Sequence, residues 1–158
     1  MNELFPSAGN WRVIKDGNKI ALEMYERHYS CYKYADGRER KLFCGPGEKM
    51  VLLTVNNDAL FVWRKFIDGS GQSGVNCAVF RNEGNIQSSV LITEAVEIAR
   101  MRWPEERFYT YVNPGKIKSS NPGYCFQKAG WRKCGVTKGG LIILELVNSK
   151  PDDDWRPE

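Results

Sequence analysis

The stretch from Ser88 to Pro104 constrains the fold of this chain most strongly, because it predicts one long helix between β-rich segments. Apolar residues recur in it at spacings of three and four, as they do on a helix with one buried face; they are Leu91, Ile92, Ala95, Val96, Ile98 and Ala99. Ser88 and Ser89 lie at the predicted N-terminus. Pro104 ends the helix, since proline cannot continue one.

Short runs rich in aromatic and β-branched residues lie on both sides of this helix, and such runs are typical of strands. The predicted strands are residues 50–55, 60–66, 75–81, 108–112, 133–137 and 141–146. The first two are joined as a hairpin across Asn56 to Ala59, and the last two across Lys138-Gly139-Gly140. The predicted class is therefore α/β, of the α+β kind.

Two further segments allow local predictions. Residues 10–26 form either two strands or a strand and a helix, and the alternation of Ile20, Leu22 and Met24 favours a second strand. Asn121 before Pro122 predicts the N-cap and first residue of a short helix that ends at Gly130.

Length and composition indicate one globular domain. The chain has 158 residues and 42% hydrophobic content, which excludes a disordered protein. No run reaches the roughly 18 apolar residues that a membrane span needs. We expect one domain over residues 1–150 and an acidic tail over residues 151–158. Five scattered cysteines without a C-x-x-C pair, and no visible secretory signal, favour a cytoplasmic protein.

The C-terminal half has a one-sided charge. No Asp or Glu occurs from Arg107 through Leu144, whereas this stretch has seven basic residues: Arg107, Lys116, Lys118, Lys128, Arg132, Lys133 and Lys138. A basic surface is the electrostatic requirement for binding nucleic acid. We therefore predict DNA contacts at Lys116, Lys118, Lys128, Arg132 and Lys133.

The order of strand, long helix, strand, short helix ending in Gly130-Trp131, and strand resembles the GNAT acyltransferase superfamily over about residues 50–147. The resemblance implies a mixed, mostly antiparallel sheet that is splayed around a cleft, with flanking helices. It also implies that the pantetheine arm of acyl-CoA lies in the cleft. The pyrophosphate would rest on the N-terminus of the long helix, within residues 82–89, where Ser88 and Ser89 are candidate ligands.

Two family features differ in this sequence. The phosphate-loop pattern Q/R-x-x-G-x-G/A, counted from Gln87, meets Val90 and Ile92 where the glycines belong. The family often has a tyrosine four residues before the final glycine of its short helix, as general acid for the departing thiolate. Here that position is Phe126, and Tyr124 lies two residues away.

A narrower resemblance rests on His28-Tyr29-Ser30 followed by this GNAT-like half, an arrangement similar to the phage Mom family. It implies carbamoylmethylation of the exocyclic amine of adenine in DNA, with a small-molecule donor and with iron as an optional cofactor. His28 together with Asp36, Asp58 or Glu83 would be the candidate iron ligands, although local spacing identifies no metal site.

The candidate catalytic residues form two groups. His28, Tyr29 and Ser30 make one predicted wall of the site, and Tyr109, Tyr111 and Tyr124, together with Asn121, the other. Ser119, Ser120 and Asn121 are candidates for holding a phosphate of the donor or of DNA. Tyrosines can also simply pack a sheet. Two alternatives to DNA modification stay open: an acyl-CoA-dependent N-acetyltransferase acting on a protein or small amine, and a non-catalytic nucleic-acid- or protein-binding module on the same fold.

Overall fold

The structure, a computed structural model, describes residues 9–27, 47–65, 71–116 and 121–147, which contain seven strands and three helices. The strands are β1 (Trp11–Ile14), β2 (Glu48–Thr54), β3 (Ala59–Lys65), β4 (Val75–Asn82), β5 (Phe108–Val112), β6 (Arg132–Val136) and β7 (Ile142–Leu146). The helices are α1 (Lys19–Glu26), α2 (Ser88–Arg102) and α3 (Tyr124–Lys128).

All seven strands belong to one sheet in the order β1-β2-β3-β4-β5-β7-β6. Every neighbouring pair is antiparallel except β4 and β5, which run parallel. A parallel pair needs a crossover connection, and α2 provides it. The predicted mixed, mostly antiparallel sheet with flanking helices is therefore confirmed.

Alternation along the strands sends side chains to two buried clusters on opposite faces of the sheet. On β2, Met50 and Leu52 face α2, whereas Val51 and Leu53 face α1. The cluster on the α2 side is the larger and has the bulky aromatic residues: Trp11, Phe61, Trp63, Trp103, Phe108, Phe126 and Trp131. Trp63, Trp103 and Trp131 are all buried here and fill this cluster.

Two tryptophans fix α2 to the sheet. The indole N–H of Trp11 donates to the Leu91 carbonyl at 2.8 Å, and that of Trp63 donates to the Ala95 carbonyl at 3.1 Å. The predicted apolar face of α2 is buried, and each fully buried Leu or Ile contributes about 1.5–3 kcal/mol. The start of α2 at Ser88 and its end before Pro104 are as predicted.

The segment after Asp16-Gly17-Asn18 is a helix, so the predicted second strand is wrong. The Asn18 side chain caps α1 by accepting from the amides of Ile20 and Ala21. Ala21, Met24 and Tyr25 are buried, and this spacing of three and four is helical. The apparent alternation of Ile20, Leu22 and Met24 is misleading because Ile20 is exposed.

The short helix is also shorter than predicted. It spans Tyr124–Lys128, and its N-cap is Gly123 in a left-handed conformation rather than Asn121. A Cβ at Gly123 would meet Leu144 at 2.6 Å. The side-chain amide of Asn121 instead donates to the Gln127 side chain at 3.0 Å.

Both predicted hairpins are present, within one or two residues of their predicted ends. Among the helices of the described ranges, none has the length and apolar character to cross a membrane. The predicted acidic tail at residues 151–158 lies outside the described residues.

Candidate functional site

The sheet opens between β4 and β5. These strands pair only through Val75–Phe108, Asn76–Tyr109 and Cys77–Thr110, although β4 continues to Asn82 and β5 to Val112. Residues 78–82 of β4 and residues 111–112 of β5 are therefore not paired with each other, although each strand stays paired with its other neighbour. This splay leaves backbone groups of two parallel strands available to a ligand that lies between them.

Two features mark the point where β4 and β5 separate: a β-bulge in β4 and a side-chain hydrogen bond between the two strands. Cys77 pairs with Trp63 and Val79 pairs with Val62, so Ala78 is an extra residue in a β-bulge. Bulges often occur beside functional sites, where they redirect a strand. The Thr110 hydroxyl donates to the Cys77 carbonyl at 2.9 Å. This hydrogen bond joins β4 and β5 at the last residues that they pair.

The cysteines near this point are not activated. Cys77 is buried, and burial raises the pKa of its thiol. Burial likewise raises the pKa of the Cys125 thiol on α3. Since the thiolate is the nucleophilic form, neither group is prepared for attack.

The N-terminus of α2 and the segment before it present unpaired backbone amides. Residues 83–87 (the β4–α2 loop) connect the end of β4 to this helix. The N–H groups from Asn85 through Ser89 have no hydrogen-bond partner in the described parts of the chain. Gln87 makes no side-chain cap, and the first turn of α2 lacks acidic residues. Free N–H groups and the helix dipole together favour an anion here.

Asn82 holds the β4–α2 loop through both ends of its side chain. Its Nδ2 donates to the Ile86 carbonyl at 2.7 Å and to Ser88 Oγ at 3.0 Å. Its Oδ1 accepts from the Gly84 amide at 3.0 Å. One side chain thus holds the loop, while the amides after Gly84, from Asn85 through Ser89, have no partner in the described residues.

Gly84 is required by its neighbour Asp58. A Cβ at position 84 would contact the Asp58 carboxylate. That carboxylate is fixed by the Thr54 hydroxyl, which donates to it at 2.7 Å, and the Glu83 amide donates to the Asp58 carbonyl at 2.7 Å. The turn between β2 and β3 therefore packs against the β4–α2 loop and is hydrogen bonded to it.

Glu83 joins three elements at the edge of this site. Its carboxylate accepts from Arg27 Nε and Nη2, both at 2.7 Å, and also from Arg81 Nε. The hydrogen bonds from Arg27 and then Arg81 lower the pKa of Glu83 to about 2. The end of α1 is thereby tied to the end of β4 and to the β4–α2 loop.

The placement of this loop reveals a motif that counting from Gln87 misses. Counted from Arg81, the pattern R-x-x-G-x-G/A is met by Arg81 and Gly84, and only its last position differs, where Ile86 stands. Ile86 packs against the core on the α2 side. The signal in the sequence was Arg81 at the end of the predicted strand 75–81, shortly before the predicted helix.

The predicted tyrosines of β5 lie on the α1 side of the sheet. Tyr109 is fully buried, and the Arg107 guanidinium lies 5.0 Å from its ring centre. Tyr111 is partly exposed and its ring meets that of Tyr109 edge-on at 5.7 Å. Of the two, Tyr111 lies beyond the last β4–β5 pair and is the one with exposed surface.

A buried carboxylate stabilises the sheet beside these tyrosines. Glu145 accepts from Arg107 Nε at 2.7 Å and from Arg132 Nε at 3.1 Å. The Arg107 hydrogen bond is the main reason that the pKa of Glu145 is lowered. Arg107 also donates to Gln72 and Ser73, so it ties the segment before β4 to β5 and β7.

On α3, the position of the family tyrosine is filled by a core residue. Phe126 is buried, with ring centres 6.0 Å from Phe80 and 4.9 Å from Trp131. Tyr124, the alternative phenol, is 55% exposed. The two side chains thus point in different directions.

Several predicted site residues lie outside the described ranges: His28, Tyr29, Ser30, Lys118, Ser119 and Ser120. Lys116, Lys128, Arg132 and Lys133 are exposed. Among the residues that the structure describes, no cluster of metal-ligating side chains is present. Of the candidate iron ligands within those ranges, Asp58 and Glu83 are already hydrogen bonded to Thr54 and to the two arginines.

Comparison with known proteins gives a match of fold. The solved GNAT domain of S. lividans PAT superposes with a TM-score of 0.60 at 19% identity, covering 87% of this chain and 89% of that one. No protein-family model and no curated protein matches the sequence. The chain thus has a GNAT-like fold. The comparisons give no support to the Mom-like interpretation, whose motif His28-Tyr29-Ser30 lies outside the described residues and stays a prediction.

Proposed function

We propose that this protein is an N-acyltransferase that uses acyl-CoA as the donor and an amine as the acceptor. The observation that carries the proposal is the position of the unpaired amides from Asn85 through Ser89 at the open end of the β4–β5 splay. A thioester donor of this kind has an extended amide-containing arm and a pyrophosphate. The splay suits the arm, and the amides suit the phosphates.

The described residues fit the donor in two respects and differ from the common family pattern in one. Unpaired strand backbone beyond Cys77 and Thr110 can hydrogen-bond the amides of the arm. The helix N-terminus offers N–H groups to the phosphates. However, Phe126 has no hydroxyl with which to protonate a departing thiolate. The proton released by the acceptor amine must therefore reach the sulfur by another route.

The chain's contribution to the reaction is then mainly positioning. Bound acyl-CoA would supply a thioester carbon that is reactive toward a neutral amine. A bond forms between the amine nitrogen and this carbon, the carbon–sulfur bond breaks, and the amine's proton passes to sulfur or solvent. Tyr111, on β5 beyond its last pair with β4, is our candidate for orienting the acceptor, because holding two reactants in line lowers the barrier substantially.

Calorimetric titration with acetyl-CoA tests the donor site. We expect a dissociation constant of roughly 1 µM to 1 mM, the usual range for enzyme substrates. Ser88→Asp is the discriminating variant, because an added negative charge favours a helix N-terminus but repels phosphates. We expect its stability to be unchanged or slightly raised and its affinity for acetyl-CoA to fall at least tenfold.

Two results would count against the proposal. One is the absence of binding at millimolar acetyl-CoA, and the other is equal affinity in the parent and in Ser88→Asp. Once binding is established, release of free thiol in the presence of a panel of amines identifies the acceptor class.

A second candidate function is modification or binding of DNA, with the exocyclic amine of adenine as acceptor. The observation that favours it is the exposure of Lys116, Lys128, Arg132 and Lys133 within a stretch that lacks acidic residues. Such a surface attracts a phosphate backbone. Iron as a cofactor finds no additional support in the described residues.

A further inference from the structure

We infer that Asn82 is a positioning residue of the donor site, because its side chain holds the β4–α2 loop, in which Ile86 stands where the family pattern has a second glycine. The inference rests on the proposed function, since it concerns the same donor. Asn82 is the last residue of β4, and its side chain spans the whole loop as far as Ser88.

The three hydrogen bonds of Asn82 fix the loop at three points. The Gly84 amide is bound to Oδ1, which makes an Asx turn. The Ile86 carbonyl is bound to Nδ2, and so is the hydroxyl of Ser88 in the first turn of α2. The amides from Asn85 through Ser89 lie along this held segment and have no partner in the described parts of the chain.

Ile86 is the residue at which this loop differs from the family pattern. It occupies the last position of the pattern that begins at Arg81, where a glycine or alanine would let the backbone approach a phosphate closely. The Ile86 side chain instead packs against the core on the α2 side. The Ile86 carbonyl is held by the Asn82 side chain.

The inference separates phosphate recognition from recognition of the rest of the donor. Removing the Asn82 side chain would release the loop without changing the strand backbone beyond Cys77. CoA binding should suffer, whereas S-acetylpantetheine, which lacks the pyrophosphate and adenosine, should bind as before. A general loss of structure would weaken both ligands together.

The test compares Asn82→Ala with the parent by titration with CoA and with S-acetylpantetheine. We expect the CoA affinity to fall about tenfold. Without the Asn82 side chain the loop must be ordered when CoA binds, and we take the cost as about the net contribution of one hydrogen bond, which corresponds to about a tenfold change in affinity. The affinity for S-acetylpantetheine should be unchanged. Asn82→Ser keeps a short oxygen that can accept from the Gly84 amide, so its CoA affinity should be intermediate.

Asn18→Ala is the matched control. The Asn18 side chain also accepts from backbone amides, those of Ile20 and Ala21, but it does so at the start of α1. This variant should lose stability and keep the parent's ratio of CoA to S-acetylpantetheine affinity.

The outcomes are distinguishable. If the parent binds CoA and both Asn82 variants bind it equally well, the role of Asn82 is wrong and the donor proposal stands. The role of Asn82 is also wrong if both ligands weaken in proportion. If Asn82→Ala does not fold, the graded loss expected for Asn82→Ser decides the question. If the parent binds no CoA, the proposed function itself fails.

Discussion

At the scale of single residues, Glu83 shows how one carboxylate can connect separate parts of the site. Arg27 comes from the end of α1 and Arg81 from β4, and both donate to Glu83 at the start of the β4–α2 loop. The side chains of Arg27 and Glu83 are 50% and 27% exposed, so water screens their attraction. We therefore assign Glu83 a modest effect on stability.

This effect depends on pH in a defined direction. The pKa of Glu83 is lowered from 4.5 to about 2 in the folded protein by its hydrogen bonds with Arg27 and Arg81. The stabilisation is thus complete above about pH 4.5 and is lost as the pH falls toward 2. We expect Glu83→Gln to lower the free energy of unfolding by about 1 kcal/mol at pH 7, and the difference from the parent to shrink below pH 4.5.

Urea unfolding of parent and variant at pH 7, 4 and 3 measures this difference. Glu106→Gln is the control, since it removes a single ion pair with Lys65 at 2.8 Å. It should lower the free energy of unfolding at pH 7 by less than Glu83→Gln does. A difference between parent and Glu83→Gln that stays constant down to pH 3 would show that the carboxylate charge is not the cause.

Residues could be predicted where a local rule decides their surroundings. The buried face of α2 and the placement of Ser88 at its start followed from periodicity and position. The role of Asn82 could not be predicted, because it depends on where Ile86 and Ser88 lie once α2 has packed on the sheet. Phe126 was recognised as a departure from the family pattern, and its aromatic contacts give the reason: the position belongs to the core.

At the scale of elements, the long helix and the strands were predictable and the two short helices were not. The helix α2 and both hairpins have strong patterns, since each buries a clear apolar face or turns at Gly, Asn or Asp residues. The helix α1 has eight residues, so its alternation was ambiguous between strand and helix. Its identity is settled by the Asn18 cap and by contact of Met24 and Tyr25 with the sheet.

The helix α3 shows why local capping rules can fail. Asn121-Pro122 is a favourable start by sequence, but close packing of Gly123 against Leu144 and Val112 moves the helix start to Tyr124. Tertiary contact decided between two acceptable starts. The splay of β4 and β5 was expected from the resemblance alone, because no sequence pattern shows where two strands stop pairing.

At the scale of the whole molecule, the charge distribution makes a prediction about DNA. If the exposed basic residues contact phosphates, binding must weaken steeply with salt, with a slope of about −0.9 per contact in a plot of log K against log salt. We expect the double variant Lys128→Ala, Lys133→Ala to flatten this slope. Fluorescence anisotropy with a labelled duplex measures this slope. The titrations are made at about 50 to 200 mM salt, a range over which phosphate contacts lose much of their effect.

The matched control exchanges two exposed lysines near α1, Lys15→Ala and Lys19→Ala, for the same loss of charge. An equal change of slope in the two double variants would show attraction by net charge only. No binding of the parent to duplex DNA would remove DNA as a partner.

The central claim is that the acyl donor lies in the β4–β5 splay with its phosphates on the N-terminus of α2. The most direct measurement is an NMR titration of the labelled 18.1 kDa protein with acetyl-CoA, following each backbone amide. We predict the largest shifts at residues 85–89, with further shifts at 78–82 and 111–112. Shifts confined to β6, or no saturable shifts at all, would contradict the claim.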